Sequence, residues 1–230
     1  PTHSPESPPA SSLKGSIRVG AHMVHLSVRS RKESKDEQPV VAIFGGTFDP
    51  PHIGHLLIAQ TVCEAENFDK ILFIPAYQPP HKTEITPIKY RLEMLQIAVE
   101  GNPNFEISDM EIKRRGVSYS IETIRGIKEE TGSDINDTFY LIGSDSLLDF
   151  HNWKDSKKIL NECQVIVAIR PGFRPSDIPS WILHRIQFAN IPRFEISSSN
   201  IRHRWVENKT IRYMVTLPVW DYINENNLYA

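Results

Sequence analysis

Strand and helix patterns alternate along this chain from residue 40 to its end, and the alternation limits the folds open to it. Residues 40–44 (VVAIF) form an apolar, β-branched run that ends at Gly45 and Gly46, which predicts a strand buried on both faces. Further strand patterns are KILFIP (70–75), FEISD (105–109), TFYLIG (138–143), VIVAI (165–169) and RIQFA (185–189) or RFEIS (193–197). Buried strands of this kind are typical of a parallel sheet covered by helices.

Helical spacing of apolar residues predicts the segments between these strands. Ile58, Val62 and Ala65 share one face of a helix expected over residues 53–66. Thr86 and Pro87 predict the start of a second helix, as its cap and its first residue. Further helices are expected over residues 120–130, 156–161, 200–206 and 218–226. Together the elements predict an α/β fold: a single doubly wound, Rossmann-like domain with a mainly parallel sheet.

The first 38 residues differ in composition from the rest of the chain. PTHSPESPPASS is rich in proline and serine, and RSRKESKDEQ is a run of mixed charge without apolar periodicity. Neither segment carries enough apolar surface to offset the entropy lost on ordering it. The sequence therefore predicts a disordered leader or extension over residues 1–38 and one folded domain over residues 39–230.

Charge and cysteine usage exclude several classes of partner. The net charge is −2 at pH 7, so the basic excess typical of a nucleic-acid surface is missing. The apolar runs fall far short of the roughly 18–20 residues that a bilayer-spanning helix needs. Cys63 and Cys163 form no Cys-x-x-Cys pair, which favours buried thiols in a reducing compartment. We expect a cytoplasmic protein with no nucleic-acid or membrane partner.

The segment GGTFDPPHIGH (45–55) directly follows the first predicted strand. Ligands of such sheets bind at the carboxyl ends of the strands, and glycines there let a phosphate approach the backbone N–H groups. His52 and His55 lie three residues apart at the start of the next helix, beside the positive end of its dipole. The pattern favours a phosphate site. Taken alone, the histidines also fit a helix cap with a packed core histidine, or a metal site.

The spacing H-x-G-H after GGTFDP resembles the signature of the HxGH nucleotidyltransferases. Within that superfamily, further segments resemble the bacterial nicotinate-mononucleotide adenylyltransferases: IPAYQPPHK (74–82), SYSIET (118–123), LIGSDSLLDFHNW (141–153), ISSSNIR (196–202) and VWDYINENNLY (219–229). The resemblance covers about residues 40–230 and makes residues 39–230 a nucleotidyltransferase domain. Ser120 and Ser199 stand where the family usually has threonine, and both keep the hydroxyl.

The resemblance implies that ATP and nicotinate mononucleotide react to give nicotinate adenine dinucleotide and pyrophosphate, a step of NAD biosynthesis, with Mg²⁺ entering bound to ATP. The substrate phosphate is itself the nucleophile, so catalysis needs alignment and stabilisation of charge. The implied catalytic residues are His52, His55, Lys82 and Arg202. The implied ATP-binding residues are Gly45, Gly46, Thr47, Phe48, His52, His55, Gly143, Asp145, Ser198, Ser199 and Arg202. The implied mononucleotide-binding residues are Lys82, Ser118, Tyr119, Ser120 and Trp153. No residues are expected to form a dedicated metal site.

Each of these segments also has a simpler interpretation. SSSNIR fits an ordinary helix cap, residues 118–120 fit another, Trp153 fits a core tryptophan and Lys82 fits a solvated loop lysine. Two other functions stay open: another HxGH transferase, with a pantetheine phosphate or a cytidylyl acceptor, and a noncatalytic nucleotide-binding regulatory module. The presence of His52, His55 and Arg202 together argues against the second. A homo-oligomer is also left open.

Overall fold

The computed structural model of the protein describes residues 15–19, 22–26 and 40–230. Its strands are β1 (Gly15–Val19), β2 (His22–Leu26), β3 (Val41–Gly46), β4 (Lys70–Pro75), β5 (Phe105–Ile107), β6 (Phe139–Gly143), β7 (Gln164–Ala168) and β8 (Ile186–Ala189). The last six form one sheet in the order β5-β4-β3-β6-β7-β8. Every neighbouring pair in this sheet is parallel. The prediction of a doubly wound α/β domain with a mainly parallel sheet is confirmed.

Helices connect the strands as the alternation predicted. They are α1 (Ile53–Ala65), α2 (Ile88–Val99), α3 (Met110–Arg114), α4 (Ser120–Thr131), α5 (Ser144–Asp149), α6 (Ser156–Glu162), α7 (Ser180–Leu183), α8 (Ser198–Val206) and α9 (Leu217–Glu225), with 3₁₀ turns at Phe150–Asn152 and Pro175–Asp177. The sequence did not predict α3, α5 and α7, because helices of four to six residues are too short to show a helical period. Pro87 caps α2, one residue later than expected.

Side chains alternate between the two faces of the sheet and bury both of them. In β3, Ala42 and Phe44 belong to the core cluster that includes α1 residues, whereas Ile43 belongs to the opposite cluster, which includes residues of α4 and α6. This alternation explains why the strand runs are apolar throughout. A third cluster joins α2, α8 and α9 through Met94, Ile201 and Ile223. The C-terminal helices therefore pack onto α2.

The structure chooses between the two alternatives for the last strand and has a further pair of strands before residue 39. RIQFA contains β8, but RFEIS is a connection without regular structure, in which Phe194 packs on the first core cluster and Ser197 caps α8. β1 and β2 form an antiparallel pair within the segment predicted to be disordered. The other residues of 1–38 lie outside the described residues, so the division of the chain at residues 38 and 39 stays a prediction. No helix in the described part of the chain is long and apolar enough to cross a membrane.

Candidate active site

A cleft of about 650 Å³ opens at the carboxyl ends of the central strands β3 and β6. The chain runs outward from β3 through β4 to β5 and then returns to β6 beside β3, so the strand order reverses at this point. Ligands of open α/β sheets bind where such a reversal separates the loops. Gly45, Gly46 and Thr47 line the cleft from the end of β3, and Gly143 lines it from the end of β6. The structure therefore brings together two groups of predicted residues that are far apart in sequence.

The two glycines at the end of β3 are required by packing. A Cβ atom on Gly45 would lie 2.7 Å from the Tyr140 hydroxyl oxygen, and one on Gly46 would lie 2.9 Å from the Phe48 ring. Phe48 is 1% exposed and has a φ of 49°, which folds its ring back under the turn. Any larger residue at either position would displace a buried ring. The backbone consequently stays open to the cleft along Gly45, Gly46 and Thr47.

His52 and His55 form a reciprocal cap at the start of α1. The His55 backbone N–H donates to Nδ1 of His52, and the His52 backbone N–H donates to Nδ1 of His55, both at 3.3 Å. The rings stack with centroids 3.7 Å apart. Because each Nδ1 accepts a hydrogen bond, the single N–H of each neutral ring is on Nε2. Only His55 lines the cleft, whereas His52 is 2% exposed and lies beneath it.

Both histidines are held neutral by their surroundings. Burial lowers the pKa of His52 to about 3, and the positive charge of Arg170 adds to the effect. Burial also lowers the pKa of His55, and the neighbouring His52, Arg170 and Lys82 lower it further, in that order. The cations around the pair would repel an imidazolium but attract a phosphate. His55 can therefore donate a neutral hydrogen bond through Nε2 into the cleft at any pH near 7.

The buried state of His52 predicts a loss of stability in mild acid. Its pKa is about 3 in the folded protein and about 6.5 in the unfolded chain, so unfolded protein binds the proton first as pH falls below 6.5. This one group should lower the free energy of unfolding by about 1.4 kcal/mol between pH 7.5 and 5.5. Urea unfolding at both pH values measures it. His52→Asn should remove this part of the pH dependence and exposed His151→Asn should not, and equal pH dependence in wild type and His52→Asn would contradict the assignment.

Lys82 approaches the glycine turn from the loop after β4. Its Nζ donates to the Thr47 hydroxyl at 3.0 Å, and it lines the cleft. Desolvation and the neighbouring Arg202 and Arg91 guanidinium groups lower the pKa of Lys82, while Asp49 opposes the shift. This lysine is exposed, but a direct contact ties it to the turn. Its position fits a point charge beside a phosphate.

The residues of ISSSNIR occupy three different positions. Ser198 lines the cleft, and its hydroxyl donates to the Pro50 carbonyl at 2.9 Å. Arg202 does not line the cleft in this structure. Its Nη1 donates to the Asp49 carbonyl at 2.6 Å and so stabilises the turn. Ser199 is exposed and also lies outside the cleft lining. The cap of α8 is Ser197, whose hydroxyl accepts from the Asn200 backbone N–H.

The predicted mononucleotide residues line the other part of the cleft. Ser118, Tyr119, Ser120 and Trp153 all contribute to its wall. Ser118 holds the loop after β4, since its hydroxyl accepts from the backbone N–H groups of residues 77 and 78 at 2.9 and 3.3 Å. Ser120 begins α4 and accepts from the Tyr140 hydroxyl at 2.9 Å. Trp153 is half-buried against the Phe150 and Tyr140 rings, so it is a core residue on one side and a cleft wall on the other.

Arg170 joins Gly143 and Asp145 at the cleft wall, although sequence reasoning did not select it. Its Nη1 lies 2.5 Å from Oδ2 of Asp145, which belongs to α5 rather than to the strand end. Its Nε is buried and has no hydrogen-bond partner among the described residues. No sequence pattern singled it out, because a lone arginine after a strand is common on protein surfaces. In the structure, the positive charge of Arg170 lowers the pKa of both His52 and His55.

Sequence reasoning also missed two buried ionisable residues, Arg91 and Glu111. Arg91 is 0% exposed and donates to four backbone carbonyls, those of Thr47, Ala76, Tyr77 and Thr86, at 2.7–3.2 Å. Its place three residues after Ile88 on the apolar face of α2 was the available signal. Glu111 lines the cleft and is 5% exposed; one of its oxygens accepts from the Thr123 hydroxyl, and the other has no partner among the described residues. It lies on the short helix α3, which the sequence did not reveal.

Comparison with known proteins identifies the family. The family model described as cytidylyltransferase-like matches residues 43–204. A nicotinate-nucleotide adenylyltransferase from Bacillus subtilis is 39% identical over 191 residues, which cover 82% of this chain and 97% of that protein. The chain belongs to the nicotinate-nucleotide adenylyltransferase family. The resemblance read from the sequence is thereby confirmed.

Solved structures of this adenylyltransferase family share the fold. Nicotinic acid mononucleotide adenylyltransferase from Plasmodium falciparum, complexed with NaAD, matches with a TM-score of 0.70 and 22% identity, covering 82% of this chain and 96% of that one. The same enzyme complexed with APC matches with a TM-score of 0.70 and 21% identity, over 84% of this chain and 98% of that one. These structures therefore share the overall fold of this chain.

Proposed function

We propose that this chain transfers the adenylyl group of ATP to nicotinate mononucleotide. The 5′-phosphate oxygen of the mononucleotide attacks the α-phosphorus of ATP, the bond from that phosphorus to the bridging oxygen of the β-phosphate breaks, and pyrophosphate leaves. The observation that carries the proposal is the cleft itself, in which a neutral histidine and a lysine face the glycine turn at one part and Trp153 forms the wall of another. Membership of the adenylyltransferase family supports it.

The phosphate part of the cleft carries hydrogen-bond donors and cations. We assign Nε2 of His55 to the transferring α-phosphate, since it is the donor of the histidine pair that lines the cleft. Lys82, which is hydrogen-bonded to Thr47, would stabilise the negative charge shared by the attacking phosphate and the leaving pyrophosphate. His52, Arg202 and Ser198 are positioning residues, because their side chains hydrogen-bond to the backbone of the turn and of the start of α1.

The remaining part of the cleft is assigned to the nucleoside of ATP, and the metal ion is assigned to the phosphates. Gly143 and Asp145 are assigned to the ATP nucleoside, with Arg170 beside them. Adenylyl transfer from ATP generally uses a divalent metal ion, and we propose Mg²⁺ bound to the phosphates. In the described residues no group of three or more His, Cys, Asp or Glu side chains could hold a metal ion, so phosphate oxygens would be its main ligands. A cytoplasmic location stays a prediction from the sequence, and a homo-oligomeric assembly stays open.

Acceptor choice is the part of the proposal that one assay can decide. In α4 the first amides bonded within the helix are those of Glu122 and Thr123, which reach the Tyr119 carbonyl at 3.0 and 3.2 Å. The two preceding amides can receive a substrate carboxylate at the positive end of the helix, where they offer only donors. A carboxamide would bring its own NH₂ donor against them. We therefore expect a preference for nicotinate over nicotinamide mononucleotide of at least about tenfold in kcat/KM.

The test measures pyrophosphate release from MgATP with each mononucleotide in turn. Trp153→Ala provides the matched comparison, because stacking on the pyridine ring does not depend on whether the ring carries a carboxylate or a carboxamide. This variant should lower kcat/KM for both mononucleotides and leave the ratio of the two values close to that of the wild type. Equal kcat/KM values for the two mononucleotides would remove the specificity assignment and keep adenylyl transfer. No pyrophosphate release with either would overturn the proposed function.

A further inference from the structure

Residues in the C-terminal part of the chain form hydrogen bonds with the backbone of the turn between β3 and α1. The Ile53 backbone N–H donates to the Met214 carbonyl at 3.0 Å. Ser198 and Arg202 donate to the two successive carbonyls of Pro50 and Asp49 at 2.9 and 2.6 Å. The turn that carries His52 and His55 is therefore fixed by backbone contacts made about 150 residues later in the chain.

Asp49 links this turn to two other segments through its side chain. The carboxylate is 3% exposed. Its Oδ2 accepts from the Thr86 backbone N–H at 3.0 Å, and Thr86 ends the loop that carries Lys82. Its Oδ1 accepts from the hydroxyl of Tyr229, the penultimate residue, at 2.7 Å. A buried carboxylate keeps one orientation only while its oxygens are hydrogen-bonded, so both partners determine where Asp49 points.

Tyr229 is held in an unusual backbone conformation at this contact. Its φ is 67°, a value that residues other than glycine seldom adopt. Leu228 before it is buried in the cluster of α2, α8 and α9, and the Tyr229 ring packs against the same cluster. Burial and the adjacent Asp49 raise the pKa of Tyr229, so its hydroxyl stays a donor. The end of the chain is thus anchored, and its hydroxyl is aimed at Asp49.

We propose that Tyr229 is a positioning residue for adenylyl transfer. Its hydroxyl holds the Asp49 carboxylate, which in turn holds the backbone around residues 47–52 and the Thr86 end of the Lys82 loop. His55 and Lys82 are thereby kept on either side of the position assigned to the transferring phosphate. This inference rests on the proposed function for its catalytic meaning, but the mechanical link from Tyr229 to the turn is independent of the reaction.

The test compares two tyrosine hydroxyls at the same end of the chain. Tyr229→Phe removes the bond to Asp49, and the matched control Tyr222→Phe removes the bond from α9 to Glu93 on α2, away from the turn. For each variant we would measure kcat, the KM for ATP, the melting temperature and hydrogen exchange of the amides of residues 47–56. Tyr229→Phe should lower kcat about tenfold and speed exchange in the turn, since small misplacements at a site reduce rates strongly. Tyr222→Phe should keep kcat within about twofold and leave exchange in the turn unchanged, whatever its effect on the melting temperature.

Each outcome bears on the proposal. A wild-type kcat and wild-type exchange in Tyr229→Phe would overturn it, and so would an equal loss of kcat in Tyr222→Phe, because docking of α9 would then explain the effect. If the wild-type protein releases no pyrophosphate, the proposed function fails and exchange alone decides the question. Faster exchange of the turn in Tyr229→Phe but not in Tyr222→Phe would still establish the link to the turn, and unchanged exchange would remove it.

Discussion

Replacing His55 with alanine is expected to lower kcat at least about 100-fold, the scale on which loss of one charge-stabilising donor acts. The ring lines the cleft, its Nδ1 is occupied by the His52 backbone N–H, and its Nε2–H is left to face the substrate. It is also wedged edge-on between the Phe44 and Phe48 rings, which fixes its direction. Steady-state pyrophosphate release at saturating ATP and mononucleotide measures the loss.

Two conservative replacements separate the donor from the helix cap. His55→Asn places an amide oxygen near the position of Nδ1, so it should keep the bond from His52 and the stability of α1 while losing as much activity as alanine. His55→Gln carries an amide N–H closer to the position of Nε2 and should retain more activity than asparagine. Circular dichroism and urea unfolding verify that each variant folds. A folded alanine variant with near-normal kcat would remove His55 from the chemistry.

Replacing Arg91 with methionine is expected to lower the free energy of unfolding by at least about 3 kcal/mol, because each buried acceptor left without its donor costs about 1–3 kcal/mol. Four backbone carbonyls from three segments would lose their donor together. Asp49, 3% exposed, would also lose the nearby positive charge of Arg91. Urea unfolding of purified protein measures the change.

Two further arginine variants sharpen this test. Arg91→Lys keeps the charge but has fewer donors in a different geometry, so its stability should lie between those of wild type and Arg91→Met. Arg125→Met removes an exposed arginine paired with Glu162 and should leave the unfolding midpoint close to that of the wild type. If the fully expressed Arg91→Met variant unfolds at the wild-type midpoint, Arg91 does not hold the loops together.

The elements of the fold could be read from the sequence because they depend on local periodicity. β3, β4 and β6 appeared as apolar runs, and the observed strand bounds differ from the predicted ones by at most two residues. The short helix α3 left no such period, and Glu111 on it therefore went unnoticed. RFEIS resembles a strand but lies beyond the edge strand β8, where Phe194 packs on the first core cluster and Ile196 on the third, and the segment does not join the sheet.

The candidate site was readable where its chemistry is concentrated in short motifs. His52 and His55 are three residues apart, so any helix starting there brings them together, and with the preceding glycines they favoured a phosphate site. The protonation state of the pair was not readable. It depends on burial and on Arg170, which comes from the end of a different strand. Arg202 was selected for the phosphates of ATP, which stays a prediction, and only the structure shows that it donates to a carbonyl of the turn.

The sequence by itself determined the strand and helix alternation, the glycine turn and the histidine pair, because each is written within a dozen neighbouring residues. Only the tertiary structure decided that β6 returns beside β3, which puts Gly143 and Trp153 across the cleft from the turn. It also decided that Tyr229 meets Asp49 across 180 residues of chain. Periodicity specifies which face of an element is buried, but the choice of distant partner depends on strand order and on how whole helices pack, and these are properties of the assembled fold.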